Sequence, residues 1–140
     1  MSKLTLQIVT PEREVVSLDV DEVVLPSQNG SMGVLAGHAP LLALLETGAV
    51  EYRDGSDRKL AAVCGGFAEI QRAGVKILAN TCELAEEIDV DRAKRSEERG
   101  KSEMSDAGDD TEATRLAAFR MQKAINRITI HQRLQGMMRQ

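Results

Sequence analysis

Two periodicities divide the chain. Up to about position 87, apolar and polar side chains alternate in short runs broken by glycine and proline, whereas beyond it apolar residues recur three and four apart. Leu4, Leu6 and Ile8 alternate with Thr5, Gln7 and Val9 before Thr10-Pro11, the pattern of a strand that ends in a turn. Val15, Val16, Leu18 and Val20 form a second β-rich run, and Val23 to Leu25 a third that is expected to stop at Pro26. Gly30, Gly33 and Gly37 punctuate the next stretch too densely for a helix, and residues 40–45, bracketed by Pro40 and Gly48, read as a strand. Residues 49–53 and 59–64 flank the hairpin loop Asp54-Gly55-Ser56-Asp57, and residues 67–71 and 75–79 flank a second hairpin at Arg72-Ala73-Gly74. Gly65-Gly66 lies outside any phosphate-loop spacing and is read as a bulge or close strand approach. Eight to ten short strands with regular turns predict an all-β sandwich over residues 1–87.

The stretch Ile88-Asp89-Val90-Asp91-Arg92-Ala93 opens the helical part. Asp89 is placed to cap a helix, because its carboxylate can accept from backbone N–H groups that have no partner in the first turn. The helix is expected over 89–104, with Gly100 weakening it by about 1 kcal/mol relative to alanine. Residues 105–110 read as a turn, followed by a new cap at Asp110 or Thr111 and a second helix to about Leu134 or beyond. The pair predicts an antiparallel helical hairpin over 88–140, giving an α+β chain of two domains. The second helix carries two apolar stripes: Ala117, Ala118, Met121, Ala124, Ile125 and Ile128 on one face, and Leu116, Phe119, Ile130, Leu134 and Met137 roughly opposite. A two-helix hairpin buries one stripe only, so the second requires the β-domain, a partner protein, or each in turn.

Charge sharpens that requirement. The chain holds 18 Lys+Arg against 22 Asp+Glu, a net of −4, which argues against a general nucleic-acid binder. From Thr111 onward, however, Arg115, Arg120, Lys123, Arg127, Arg133 and Arg139 face Glu112 alone, so this segment carries +5 and the remainder −9. A basic helix on an acidic body points to an anionic partner inside or outside the molecule. With aromatic residues at 2%, recognition by stacked rings is disfavoured.

Catalytic chemistry finds no support in the pattern. His38 in Ala36-Gly37-His38-Ala39-Pro40 has no nucleophile or carboxylate beside it, and His131 sits on the basic helix. Cys64 and Cys82 are too far apart for a metal or redox pair and read as buried free thiols. No metal site and no catalytic constellation can be nominated. No apolar run approaches the length of a membrane span, and the first ten residues lack a signal-peptide layout.

Four stretches in order, residues 7–12 (QIVTPE), 30–50 (GSMGVLAGHAPLLALLETGAV), 63–70 (VCGGFAEI) and 88–93 (IDVDRA), make the chain similar to the epsilon subunit of the bacterial F-type ATP synthase. The resemblance covers nearly the whole chain. It departs at Ala36, where many members have proline, and in the loose turn at residues 106–110. It implies a ten-stranded β-sandwich followed by a two-helix hairpin, and a non-catalytic rotor component requiring no cofactor. The sandwich would sit on the gamma subunit and the c-ring, with Ser31, Met32, His38 and Leu42 at that junction, peripheral to the cytoplasmic face of the bacterial plasma membrane. The hairpin would fold against the sandwich or extend toward the alpha and beta subunits. There Arg115, Arg120, Lys123, Arg127 and Arg133 would meet an acidic loop of beta and block ATP hydrolysis.

The resemblance also implies a regulatory ATP site. Asp89 and Arg92 would hold the adenine and ribose end, with Ala93 leaving room for the base and Glu83 and Ile88 completing the set. Arg99, Arg115, Lys123 and Arg127 would supply cations for the phosphates. An Arg92 that only pairs with Glu83 or Glu87 is the structural alternative. A stand-alone ATP-sensing or adaptor module of the same fold is the other functional reading, and co-purification with gamma separates the two.

Overall fold

The computed structural model describes residues 2–139, which fall into two compact units, Met1–Ala85 and Glu86–Gln140. The first contains eight strands: β1 (Leu4–Val9), β2 (Glu14–Val20), β3 (Glu22–Ser27), β4 (Gly30–Val34), β5 (Leu41–Leu44), β6 (Gly48–Asp54), β7 (Asp57–Ile70) and β8 (Gly74–Leu84). They pair in the order β2-β1-β8-β7-β6-β3-β4, with β5 added on β7. All neighbours are antiparallel except β1 and β8, which run parallel from Thr5 opposite Gly74 to Val9 opposite Leu78.

Two layers arise because β7 and β8 are long enough to belong to both. The first half of β7 pairs with β6, from Asp57 opposite Asp54 to Val63 opposite Gly48, and its last residues pair with β5, from Phe67 opposite Leu44 to Ile70 opposite Leu41. Gly65 and Gly66 lie at the changeover with φ of +71° and +107°, a backbone that side-chain-bearing residues rarely adopt. The expected break between two strands is therefore a bend inside one. A Cβ on Gly66 would meet the Leu78 carbonyl oxygen at 2.1 Å, so the bend brings β7 against β8 more closely than alanine permits. Pro26, expected to end its strand, stays within β3 opposite Ser31 of β4.

Alternation builds the core. Leu4, Leu6 and Ile8, Val23 and Leu25, Val50 and Tyr52, and Val75 and Ile77 all point inward and are buried. Each such aliphatic side chain removed from water contributes about 1.5–3 kcal/mol. Cys64 is buried, its Sγ 3.2 Å from Thr47 Oγ1, while Cys82 is half-buried; both are free thiols. At one end of the strands Asp21 accepts from the Gly55 backbone N–H at 2.6 Å and lies 3.6 Å from Arg53 and 3.9 Å from Lys3, which also pairs with Asp54. The Gly55 N–H is the main reason the Asp21 carboxyl is held below its ordinary 3.8, with Lys3 and Arg53 adding to it.

A single 3₁₀ turn, Ala85–Glu87, precedes the helices α1 (Val90–Ala107) and α2 (Thr111–Met138). The turn between them is shorter than the sequence suggests: residues 105–107 continue α1, Gly108 takes φ +55°, and Asp110 caps α2 by accepting from the Ala113 N–H. Glycine at the end of one helix and aspartate at the start of the next let the chain reverse within three residues.

Candidate functional site

Asp89 takes the role expected of it. Its φ and ψ are −87° and 98°, and its Oδ1 accepts from the Arg92 N–H at 3.1 Å, so the cap fixes where α1 begins. Arg92 follows with an exposed side chain, between buried Ile88 and buried Ala93.

Ala93 and Gly100 are the two buried residues of α1, seven positions apart and so on one face, and Ala117 and Ala124 repeat that spacing on α2. A Cβ at Gly100 would lie 2.4 Å from Met121 Cγ and 3.4 Å from the Ala117 carbonyl oxygen. Small residues thus let the two backbones approach closely. Gly100, expected only to weaken α1, is the position that seats α1 on α2. The smallness of Ala93 likewise has a packing reason, independent of any ligand.

One carboxylate ties the helices together on their outer surface. Glu103 of α1 receives Arg120 Nη1 of α2 at 2.5 Å and 2.7 Å on its two oxygens, and Arg99 Nε from one turn earlier at 3.1 Å. Arg115 is occupied by Glu112 at 2.8 Å and 2.9 Å, and Lys123 Nζ lies 5.7 Å from the centre of the Phe119 ring. Arg127 is half-buried and Arg133 exposed.

The candidate residues are therefore spread along the hairpin. Because α1 and α2 are antiparallel and meet near Gly100 and Met121, Arg92 lies toward the open end with Arg127, Arg99 sits in the middle with Arg120, and Arg115 lies near the turn. At a rise of about 1.5 Å per residue, Arg115 is far along α2 from the level of Arg92. Glu83 is on β8, half-buried and part of the sandwich.

The two apolar stripes of α2 are unequally covered. On the first, Ala117 and Ala124 are buried and Met121 and Ile128 half-buried, but Ala118 and Ile125 are exposed. On the second, Ile130 is buried and Leu134 and Met137 half-buried, while Leu116 and Phe119 remain 53% and 48% exposed.

A separate apolar surface belongs to the sandwich. Leu35, Leu41, Leu42 and Leu44 are all exposed, Leu42 by 63%, whereas Ala43 and Leu45 point inward. Ser31 is exposed on β4, Met32 packs against the core, and His38 lies in the following loop with its Nδ1 donating to the Ala39 carbonyl at 2.7 Å. Of the four leucines, site reasoning from the sequence named only Leu42. The signal for the others is the unbroken run Leu41-Leu42-Ala43-Leu44-Leu45, which leaves no polar face on β5.

Comparison with known proteins gives a consistent result. The model of the ATP synthase delta/epsilon chain β-sandwich domain matches residues 3–85, and that of the delta/epsilon chain long α-helix domain matches residues 86–132. The chain is 43% identical over 128 residues to the ATP synthase epsilon chain of Syntrophobacter fumaroxidans, covering 91% of this chain and 95% of that one. It is 40% identical over 123 residues to the epsilon chain of Desulforamulus reducens, with 88% and 92% covered. A chain in the mitochondrial ATP synthase of Euglena gracilis has the same fold, with a TM-score of 0.76 at 21% identity, covering 87% of this chain and 77% of that one.

Proposed function

Because the chain belongs to the epsilon-chain family of ATP synthase, we propose that it is a non-catalytic rotor subunit whose sandwich docks on gamma and the c-ring and whose hairpin restrains ATP hydrolysis. The exposed leucines 35, 41, 42 and 44 carry the docking half of this reading. An apolar patch of four large side chains on a small sandwich is kept in a soluble fold when a partner covers it. Ser31, Met32 and His38 flank the same segment and join the interface. Through it the chain is peripheral to the cytoplasmic face of the membrane.

The hairpin supplies the regulatory half. Exposed Leu116 and Phe119 stand among Arg115, Arg120 and Lys123, a surface that suits an acidic, partly apolar loop of the beta subunit, with Arg127 and Arg133 extending the charge. ATP held by Asp89 and Arg92 favours the folded hairpin to the extent that it binds that state better than the extended one.

Ending the chain after Glu87 tests the division of labour. Binding to gamma and proton-driven synthesis persist while ATP hydrolysis rises; lost coupling overturns the proposal. In equilibrium titration, Arg92→Ala weakens ATP binding at least about tenfold, equivalent to about 1.4 kcal/mol. Unchanged affinity removes ATP from the helix start.

A further inference from the structure

Glu103 is the one acid whose printed contacts join both helices, and two guanidiniums from different helices converge on it. The local charge is unbalanced, with two fixed cations against a single carboxylate. Exposed Arg95, one turn before Arg99, and Lys123, one turn after Arg120, add to the same sign. The carboxylate occupies a gap lined by N–H donors, and arginine forks bind a phosphate group with the same geometry as a carboxylate. The close seam at Gly100 holds both arginines at that spacing.

We propose that Arg99 and Arg120 form a polyphosphate-binding site midway along the hairpin, and that Glu103 fills it as an internal counter-ion which the phosphate chain must displace. Glu103 then sets how much ATP is needed to clamp the hairpin, since every binding event breaks its three hydrogen bonds. The inference deepens the nucleotide reading above and rests on it. The shared ligand chemistry is a linear triphosphate, supplied by a nucleotide or as inorganic tripolyphosphate.

Calorimetric titration of the full-length chain with ATP and, separately, with tripolyphosphate tests the site. Glu103→Gln keeps the size of the side chain and removes the competing charge. Exposed ion pairs of this kind are individually weak, so the expected gain is about three- to tenfold tighter binding. Arg120→Gln weakens binding in the same assay, which keeps the test informative if the glutamine variant perturbs the hairpin. Tightening of both ligands means that the phosphate chain alone is recognised; tightening of ATP only assigns the site to nucleotides. The proposal is overturned if Glu103→Gln binds neither ligand more tightly than wild type, or if the gain survives loss of both arginines. Arg92→Ala separates the two readings. If Arg92 matters but Glu103 does not, the counter-ion is wrong and the helix-start site stands. If Glu103 controls tripolyphosphate but Arg92→Ala leaves ATP unchanged, the reverse holds.

Discussion

Replacing Gly66 with alanine probes the bend that makes one strand serve two layers. Its φ of +107° is open to glycine, and an L side chain there costs about 1–3 kcal/mol in backbone strain. The added methyl would also stand 2.1 Å from Leu78 O and 2.8 Å from Ala79 Cα, both backbone atoms of β8, which cannot rotate away. Forcing the strands apart costs about another 1–3 kcal/mol, so the total is about 3–5 kcal/mol. In a unit of this size each kcal/mol lowers Tm by about 4–8 °C, and a fall of about 15 °C or more follows. Tyr52 is the chain's only tyrosine, tryptophan is absent and Tyr52 is buried in the sandwich, so its fluorescence follows this unit alone. Gly55→Ala is the control: φ is +63°, but no atom lies within 4 Å of its Cβ position, and the loss is about 1–2 kcal/mol. A Gly66→Ala protein no less stable than Gly55→Ala refutes the account of the bend.

Two further outcomes follow from the packing and the charges. Gly100→Ala gains about 1 kcal/mol in helix propensity but pushes against Met121, at a cost of about 1–3 kcal/mol. The hairpin, followed by circular dichroism at the helical band in guanidinium, is destabilised by about 1 kcal/mol, and Met121→Ala added to it relieves the clash. A Gly100→Ala hairpin more stable than wild type contradicts the close seam. Asp21 titrates below its ordinary value in the folded chain, so its contribution is present above the unfolded pKa of 3.8 and is lost as pH falls through the folded one. Asp21→Asn therefore lowers the sandwich Tm at pH 7, and the gap to wild type narrows below about pH 4; a gap constant with pH contradicts this role.

Local chemistry made much of the structure legible from residue order alone. Asp89 needed only its own carboxylate and the N–H groups after it to be read as a cap, and Gly55 marked its turn whatever surrounded it. Features decided by partners distant in sequence were not legible. Gly100 looks like a defect on an isolated α1 and becomes a contact only once Met121 is opposite. Gly65-Gly66 was readable as a bulge, but its continuity through β7 depends on pairing with β5, β6 and β8 together. The clasp was hidden for the same reason, because Glu103 and Arg120 are 17 residues apart and carry no shared motif. The exposed leucines of β5 look like core in sequence, since apolar character says nothing about which side is covered.

The parallel pairing of β1 with β8 also sets a timetable for synthesis. Thr5 finds its partner Gly74 only after about seventy further residues have been added, which at about 5–20 residues per second is several seconds. During that interval β1 has only its hairpin neighbour β2, and Leu4, Leu6 and Ile8 wait for the strand that will cover one edge. Closing so long a loop is the slow step for a sheet of this kind, whereas the two helices are adjacent in sequence and can zip locally. The ribosome therefore delivers everything the sandwich needs before α1 begins, and the hairpin emerges beside a unit already able to close.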